Sequence, residues 1–159
     1  MPADSNNAIP AITQIPATLR HLIADYVTRL SEIDNHAFGT KPRPEKWSKK
    51  EILGHLIDSA ENNLRRFITA QYEAEPPHIV YDQDFWVAAN RYNEVDATEL
   101  ITLWKLLNER IAAILESLPT SKLEKLCNTG KGKPEFHTLT FLATDYLAHT
   151  EHHLKQLIA

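Results

Sequence analysis

Four stretches of the chain repeat apolar residues at the three- and four-residue spacing that places them on one face of an α-helix. These stretches cover, to within a few residues, positions 16–33, 49–72, 97–118 and 138–157. The chain carries little of the alternating apolar and polar pattern that is typical of strands. The pattern predicts an all-α protein built as an antiparallel four-helix bundle, with residues 1–13 as a loose lead-in and residues 14–159 as one domain.

The predicted helix boundaries come from capping signatures. Ser48 and Glu51 form a capping box, in which a hydroxyl and a carboxylate satisfy free amides of the first turn, before the second helix. Asp96 and Glu99 repeat the signature before the third helix, and Pro119 ends that helix. These signals fix the starts of the two central helices.

The long connections carry the residues suited to a pocket. Residues 34–47 are predicted as a loop, at whose end Trp47 is expected to staple the turn to the next helix rather than to stack on a ligand. Residues 73–96 lose the helical period over more than 20 positions, which indicates a lid or a short helix over a site. Asp84 and Trp86 in this segment suit a pocket mouth, although they equally suit a plug that closes the core.

The connection at residues 119–137 is predicted to hold one short helical turn near residues 122–126 and a flexible run rich in glycine and lysine. That run lacks the full spacing of a phosphate-binding loop, and no strand is predicted before it. We therefore reject a nucleotide-binding function for it.

Composition narrows the class of protein. A chain of 159 residues with 43% hydrophobic residues and 24% charged residues is typical of a globular domain. A net charge of −4 argues against a broad nucleic-acid surface, and the longest apolar runs are too short to cross a bilayer. No signal peptide is recognised at the start of the sequence, and the single Cys127 cannot form an internal disulfide. The expected location is therefore the cytoplasm.

The last predicted helix carries a candidate for metal binding. His149 and His153 are four residues apart, so that they stack on one side of a helix, on or beside its apolar stripe. His152 is turned by about 100° toward the polar flank. A pair with this spacing arises easily by chance, and a third ligand must come from another helix.

His55 is the best third ligand. It begins a polar line along the edge of the second helix, followed by Ser59, Asn62 or Asn63, and Arg66. This line faces either a ligand cavity or solvent. Three protein ligands with an open position are typical of a catalytic rather than a structural metal site. Asp145, four residues before His149, is either an orienting carboxylate or a surface residue.

The chain resembles the DinB/YfiT-like superfamily of metal-dependent enzymes from about residue 15 to its end. The motifs that carry the resemblance are Trp47-Ser48 with Glu51 and Gly54-His55-Leu56, Asp84-Phe85-Trp86, and Asp145-Tyr-Leu-Ala-His149 with His153 and Gln156. The resemblance implies a four-helix bundle, a divalent metal, commonly nickel or zinc, on His55, His149 and His153, and homodimers. It also implies thiol S-transferase, thiol-dependent isomerase or hydrolase activity on a small molecule.

Three functions stay open at this point. The first is a metalloenzyme that activates water or a low-molecular-weight thiol, with Arg66 meeting an anionic substrate group and Asp84 or Trp86 bordering the pocket. The second is a stress-associated module that binds a metal or small ligand without turnover. The third is a bundle that serves only in assembly, with the histidines as ordinary residues at the edge of the core.

Overall fold

The computed structural model describes residues 11–159, so that most of the predicted lead-in lies outside the described residues. The helices are α1 (Ile15–Ser31), α2 (Asn35–Gly39), α3 (Lys49–Tyr72), α4 (Gln83–Asn90), α5 (Ala97–Glu116) and α6 (Leu139–Ile158). Single 3-10 turns cover Ile12–Gln14, Tyr92–Glu94 and Thr120–Lys122, and two short strands are β1 (Leu126–Asn128) and β2 (Phe136–Thr138).

The four long helices α1, α3, α5 and α6 form a bundle, which confirms the predicted all-α class. Around the bundle the order is α1, α5, α3, α6, and each helix packs against two neighbours. The consecutive long helices α1 and α3 therefore lie diagonally across the bundle, and the loop with α2 connects them. This order puts α3 beside α6, which is the pairing that the proposed metal site requires.

The predicted apolar stripes meet in one core. The largest fully buried side chains include Trp104, Phe38, Phe67, Leu19, Leu53 and Leu139. Buried polar residues interrupt the apolar stripes of α3, α5 and α6. Helix α3 carries the most of them, including His55, Asp58, Ser59, Asn62 and Asn63. Because unpaired buried polar groups cost on the order of 1–3 kcal/mol each, these side chains need hydrogen-bond partners, either within α3 or from the elements packed on it.

One of the two predicted capping boxes is confirmed. The Ser48 hydroxyl accepts from the amide of Glu51 at 3.1 Å, and the Glu51 carboxylate accepts from the amide of Ser48 at 2.8 Å. The second is wrong in detail, because Asp96 makes no side-chain capping bond although α5 does begin at Ala97. The start of α6 is capped by Thr138, whose hydroxyl accepts from the amide of Phe141 at 3.0 Å.

Two connections contain elements that the pattern did not predict. The short α2 interrupts the 34–47 loop. The helical turn expected near residues 122–126 is the 3-10 turn Thr120–Lys122, slightly earlier in the chain, and it is followed by β1, which pairs antiparallel with β2. Three-residue elements are too short to show a period. A strand therefore does precede the run of glycine and lysine, but that run still lacks phosphate-loop spacing, and it connects β1 to β2 rather than to a helix.

The 73–96 segment contains a short helix, α4, which was one of the two predicted alternatives, the other being a lid. A buried carboxylate anchors this helix to α3: Asp58 accepts from the Tyr92 hydroxyl and, at 3.1 Å, from the Asn90 side-chain amide. The Tyr92 ring lies so close over Gly54 that a Cβ atom there would overlap it. These contacts hold the C-terminal end of α4 against α3, and Asp84 lies in the first turn at the opposite end of α4.

Candidate metal centre

Three histidines from two helices meet at one end of the α3 and α6 interface. His55 on α3 faces His149 and His153 on α6, and one ring nitrogen of each lies within 4.8 Å of the others. The Nε2 atoms of His55 and His149 are 3.2 Å apart. His55 is 2% exposed, whereas the two α6 histidines are half-buried. The predicted set is therefore brought together, and it opens to the surface from the α6 side.

The spacing of the His55 and His149 nitrogens fits binding to one metal ion. Two imidazole nitrogens that bind the same ion at about 2.0–2.1 Å with a tetrahedral angle lie roughly 3.3 Å apart. The observed 3.2 Å between His55 and His149 matches this value. The same distance suits an N–H···N hydrogen bond between the two rings, so the separation is compatible with both states. All three donors are imidazoles, which suit zinc, nickel, copper or iron.

Burial keeps two of the ligands in the form that binds metal. The pKa of His55 falls from 6.5 to about 4, mainly because burial penalises the charged ring, and then because His149 and His153 are close. The pKa of His149 also falls to about 4, through burial and then through His153, while the nearby Asp145 opposes the shift. A metal ion binds only the neutral imidazole, so protons compete weakly at neutral pH.

Gln156 fixes the orientation of the third histidine. Nδ1 of His153 lies 3.0 Å from Oε1 of Gln156, one turn further along α6. Because the glutamine oxygen only accepts, Nδ1 carries the proton and Nε2 is left with the free lone pair. Outer partners of this kind orient metal-binding histidines in many proteins. The motif included Gln156, but spacing alone gave it no role.

Replacing Gln156 by leucine is therefore expected to weaken zinc binding by about 10- to 100-fold, the usual cost of losing such a partner. Leucine keeps the size of the side chain but removes the acceptor. Competition with a chromophoric chelator measures the affinity. The Gln156→Glu variant retains an acceptor and serves as the control, and equal zinc affinities of the leucine variant and the wild type would show that the bond is incidental.

His152 lies outside the set. Its ring is exposed and centred 5.1 Å from the His153 ring, on the outer side of α6. The position agrees with the predicted rotation toward the polar flank. It provides a matched control for substitutions of the other histidines on the same helix.

An open cavity of about 940 Å³ adjoins the metal centre at His153. His153 and Gln156 form one part of its wall, and Trp47, Ile52 and Asp84 contribute to others. The Trp47 ring centre is also 5.1 Å from the His55 ring centre, with the planes tilted by 37°. Trp47 therefore lies between a predicted metal ligand and the cavity, a role beyond the predicted staple.

The other predicted pocket residues lie elsewhere. Arg66 donates through Nε and Nη2 to the carbonyl oxygen of Ile79, at 3.1 and 2.7 Å, so its guanidinium holds the loop after α3. Trp86 packs edge-on against Tyr81, and Asp145 is exposed on α6. None of these three predicted residues lines the cavity, and their substrate or orienting roles stay predictions.

Beyond His55, the buried residues of the polar line on α3 face neither the cavity described above nor solvent, which were the two predicted environments. Asn62 and Asn63 are buried, and their amides donate to the carbonyl oxygens of Asp58 and Ser59 one turn earlier, at 2.9 and 2.8 Å. Back-bonding of this kind satisfies buried side-chain amides within one helix. Of the residues on the line, only His55 belongs to the candidate metal centre.

The lowered pKa values predict how the metal-free protein responds to acid. His55 and His149 have a pKa of about 4 in the folded protein, against an ordinary histidine value of 6.5, so the unfolded chain binds more protons between these values. Stability therefore rises with pH over this range. The raised pKa values of Asp58, about 6, and of Glu61 oppose the two histidines but do not outweigh them.

Urea unfolding in the presence of a chelator at pH 5 and pH 7 measures this effect, and we expect the higher free energy of unfolding at pH 7. The double variant His55→Gln with His149→Gln removes both groups, and its stability should fall over the same range because Asp58 and Glu61 then dominate. Equal slopes for the variant and the wild type would contradict the assignment.

No helix among residues 11–159 combines the length and the apolar character needed to cross a membrane.

Comparison with known proteins identifies the class. The sequence model of the DinB superfamily matches residues 18–157. The chain belongs to the DinB superfamily. A Bacillus licheniformis protein provisionally named as a metal-dependent hydrolase is 26% identical over 93% of this chain and 80% of its own. Bacillus subtilis YfiT, provisionally named in the same way, is 25% identical over 94% of this chain and 79% of its own.

Solved structures support the fold. The structure of YfiT from Bacillus subtilis, described as a probable metal-dependent hydrolase with an unusual four-helix bundle topology, matches with a TM-score of 0.82 at 23% identity, over 99% of this chain and 90% of that one. A mycothiol-dependent maleylpyruvate isomerase matches with a TM-score of 0.74 at 16% identity. That match covers 92% of this chain but 61% of the isomerase, so the shared part is the bundle.

Proposed function

We propose that this protein is a divalent-metal-dependent enzyme whose ion, nickel or zinc, is held by His55, His149 and His153. The observation that carries the proposal is the meeting of these three histidines beside an open cavity whose wall includes His153. The relatives named as metal-dependent hydrolases support a divalent metal as well. Three ligands leave a coordination position free, as in catalytic sites.

The proposed reaction is transfer of a low-molecular-weight thiol to a small electrophilic substrate, or hydrolysis of such a substrate. When bound, the ion supplies Lewis-acid chemistry that lowers the pKa of a water or thiol. His55 and His149 remain neutral and positioned, Gln156 orients His153, and the indole of Trp47 shields the buried side of the site from water. The mycothiol-dependent isomerase with the same fold favours the thiol reaction.

Activity screening tests the proposal. Protein loaded with nickel or zinc is assayed with bacillithiol, glutathione or mycothiol against chlorinated aromatic electrophiles, and with ester and amide substrates for hydrolysis. Turnover that requires the metal and disappears in His149→Ala, but persists in His152→Ala, is the expected result. Turnover that is equal in the metal-free protein contradicts a metal-dependent reaction.

A module that binds a metal or small ligand without turnover is the second candidate. The observation that favours it is that, within the described residues, no carboxylate or thiol joins the three histidines in the cluster that could hold a metal ion. Tight metal binding together with a flat activity screen would select this candidate.

We also propose that the domain comprises residues 14–159, that it forms a homodimer and that it works in the cytoplasm. Light scattering coupled to size-exclusion chromatography tests the dimer: a mass near twice 18.1 kDa is expected. A mass equal to one chain at micromolar concentration would contradict it.

A further inference from the structure

The cavity beside the metal centre has apolar wall residues and reaches the metal centre at His153. Trp47 and Ile52 supply apolar surface, and His153 and Gln156 form the side that belongs to the metal centre. At about 940 Å³ it has room for a small molecule considerably larger than an amino acid. A ligand that reaches His153 must therefore pass the other side chains that line this cavity.

Charged side chains of both signs line the same cavity. Lys46 and Lys49 carry positive charges, and Glu45 and Asp84 carry negative charges. They come from three places in the fold: the loop before α3, the first turn of α3 and the first turn of α4. The ion pairs found within residues 11–159 include none of these four side chains, nor do the side-chain hydrogen bonds.

We propose that this cavity selects a zwitterionic substrate of the amino-acid type, one that carries an ammonium and a carboxylate on the same small molecule. The proposal rests on the proposed function, because it takes the cavity as the substrate site of the metal centre. Two positive and two negative side chains sum to no net charge, so the cavity walls do not favour a simple anion or cation. A zwitterion meets both signs at once.

The fold suggests which end of the ligand lies where. Asp84 lies in the first turn of α4, a helix whose other end Asp58 anchors to α3, and it offers a carboxylate for the ammonium group. Lys46 offers an ammonium for the carboxylate. Lys49 also borders a smaller cavity that includes Glu32, so Lys46 is the better residue to test. The apolar body of the ligand then lies along Trp47.

Three ligands that share the same apolar side chain separate the contributions of the ammonium and the carboxylate to binding. S-benzyl-L-cysteine carries both charges, its N-acetyl derivative keeps only the carboxylate, and its methyl ester keeps only the ammonium. None has a free thiol, so binding does not depend on thiol chemistry. Isothermal titration calorimetry on zinc-loaded protein measures each affinity, for wild type and for the Lys46→Gln and Asp84→Asn variants.

The wild type is expected to bind S-benzyl-L-cysteine most tightly. Lys46→Gln should weaken the zwitterion and the N-acetyl derivative by about three- to fivefold and leave the ester unchanged, since one exposed ion pair is worth up to about 1 kcal/mol. Asp84→Asn should weaken the zwitterion and the ester by a similar factor and leave the N-acetyl derivative unchanged. Direct chelation of zinc by the amino acid is the same in all variants, so it cannot produce this crossed pattern.

Equal affinities for the three ligands, or affinities that neither substitution alters, would overturn the proposal. Tightest binding of the N-acetyl derivative would overturn it too, because the cavity would then select anions. These outcomes are separate from the failure of the proposed function, which shows in the metal-dependent assay. The crossed pattern without any turnover would leave a zwitterion-binding site on a protein that is not an enzyme.

Discussion

Replacing His55 by alanine is expected to weaken zinc or nickel binding by more than about 100-fold. Loss of an outer partner of a metal ligand already costs about 10- to 100-fold, and loss of a ligand itself costs more. His55 is the sole member of the set on α3 and is almost fully buried, so no solvent-exposed group replaces it easily. Titration against a competing chelator gives the affinity.

The control for this substitution is His152→Ala, which removes an exposed imidazole beside the same site. It should bind metal as tightly as the wild type. Circular dichroism of the metal-free variants checks that the bundle still folds. Wild-type affinity in a folded His55→Ala protein would show that the metal, if it binds, uses other ligands.

Replacing Asp58 by alanine is expected to lower the free energy of unfolding by about 2–4 kcal/mol. Asp58 is fully buried, and the substitution leaves the Tyr92 hydroxyl and the Asn90 amide without their acceptor. It also leaves a small cavity beside the Tyr92 hydroxyl. Urea unfolding at pH 7 measures the change.

The loss of stability in Asp58→Ala is limited because burying the charged carboxylate is itself unfavourable. Burial raises the pKa of Asp58 from 3.8 to about 6, so the charged form is disfavoured in its site. Asp58→Asn, which keeps an acceptor and removes the charge, should therefore lose much less stability than Asp58→Ala. Tyr92→Phe completes a double-mutant cycle, and a coupling energy near zero with Asp58→Ala would contradict the bond as the cause.

The sequence predicted the long helices because their apolar stripes span several turns. Trp104 and Leu139 are fully buried members of these stripes, and α3 begins where the Ser48 capping box indicates. The apolar pattern did not predict the order of the helices around the bundle, because a stripe shows which face of a helix is buried but not which helix covers it. The short elements α2, β1 and β2 were missed because three to five residues show no period.

The candidate site was predicted more fully than its surroundings. His149 and His153 share a helix, so their approach follows from spacing, whereas the approach of His55 depends on α3 packing against α6. Asp58 was missed because it interrupts the apolar stripe of α3, and its partners Asn90 and Tyr92 come from a segment without periodicity. Long-range polar contacts of this kind leave no local signal in one sequence.

The decisive experiment for the three-histidine metal centre is a crystal structure of the protein loaded with nickel or zinc, with anomalous scattering recorded at the absorption edge of that metal. We expect one anomalous peak per chain, at about 2.0–2.1 Å from one nitrogen of each of His55, His149 and His153. A peak at other residues, or no peak at these three histidines when metal is in excess, would contradict the proposed metal centre.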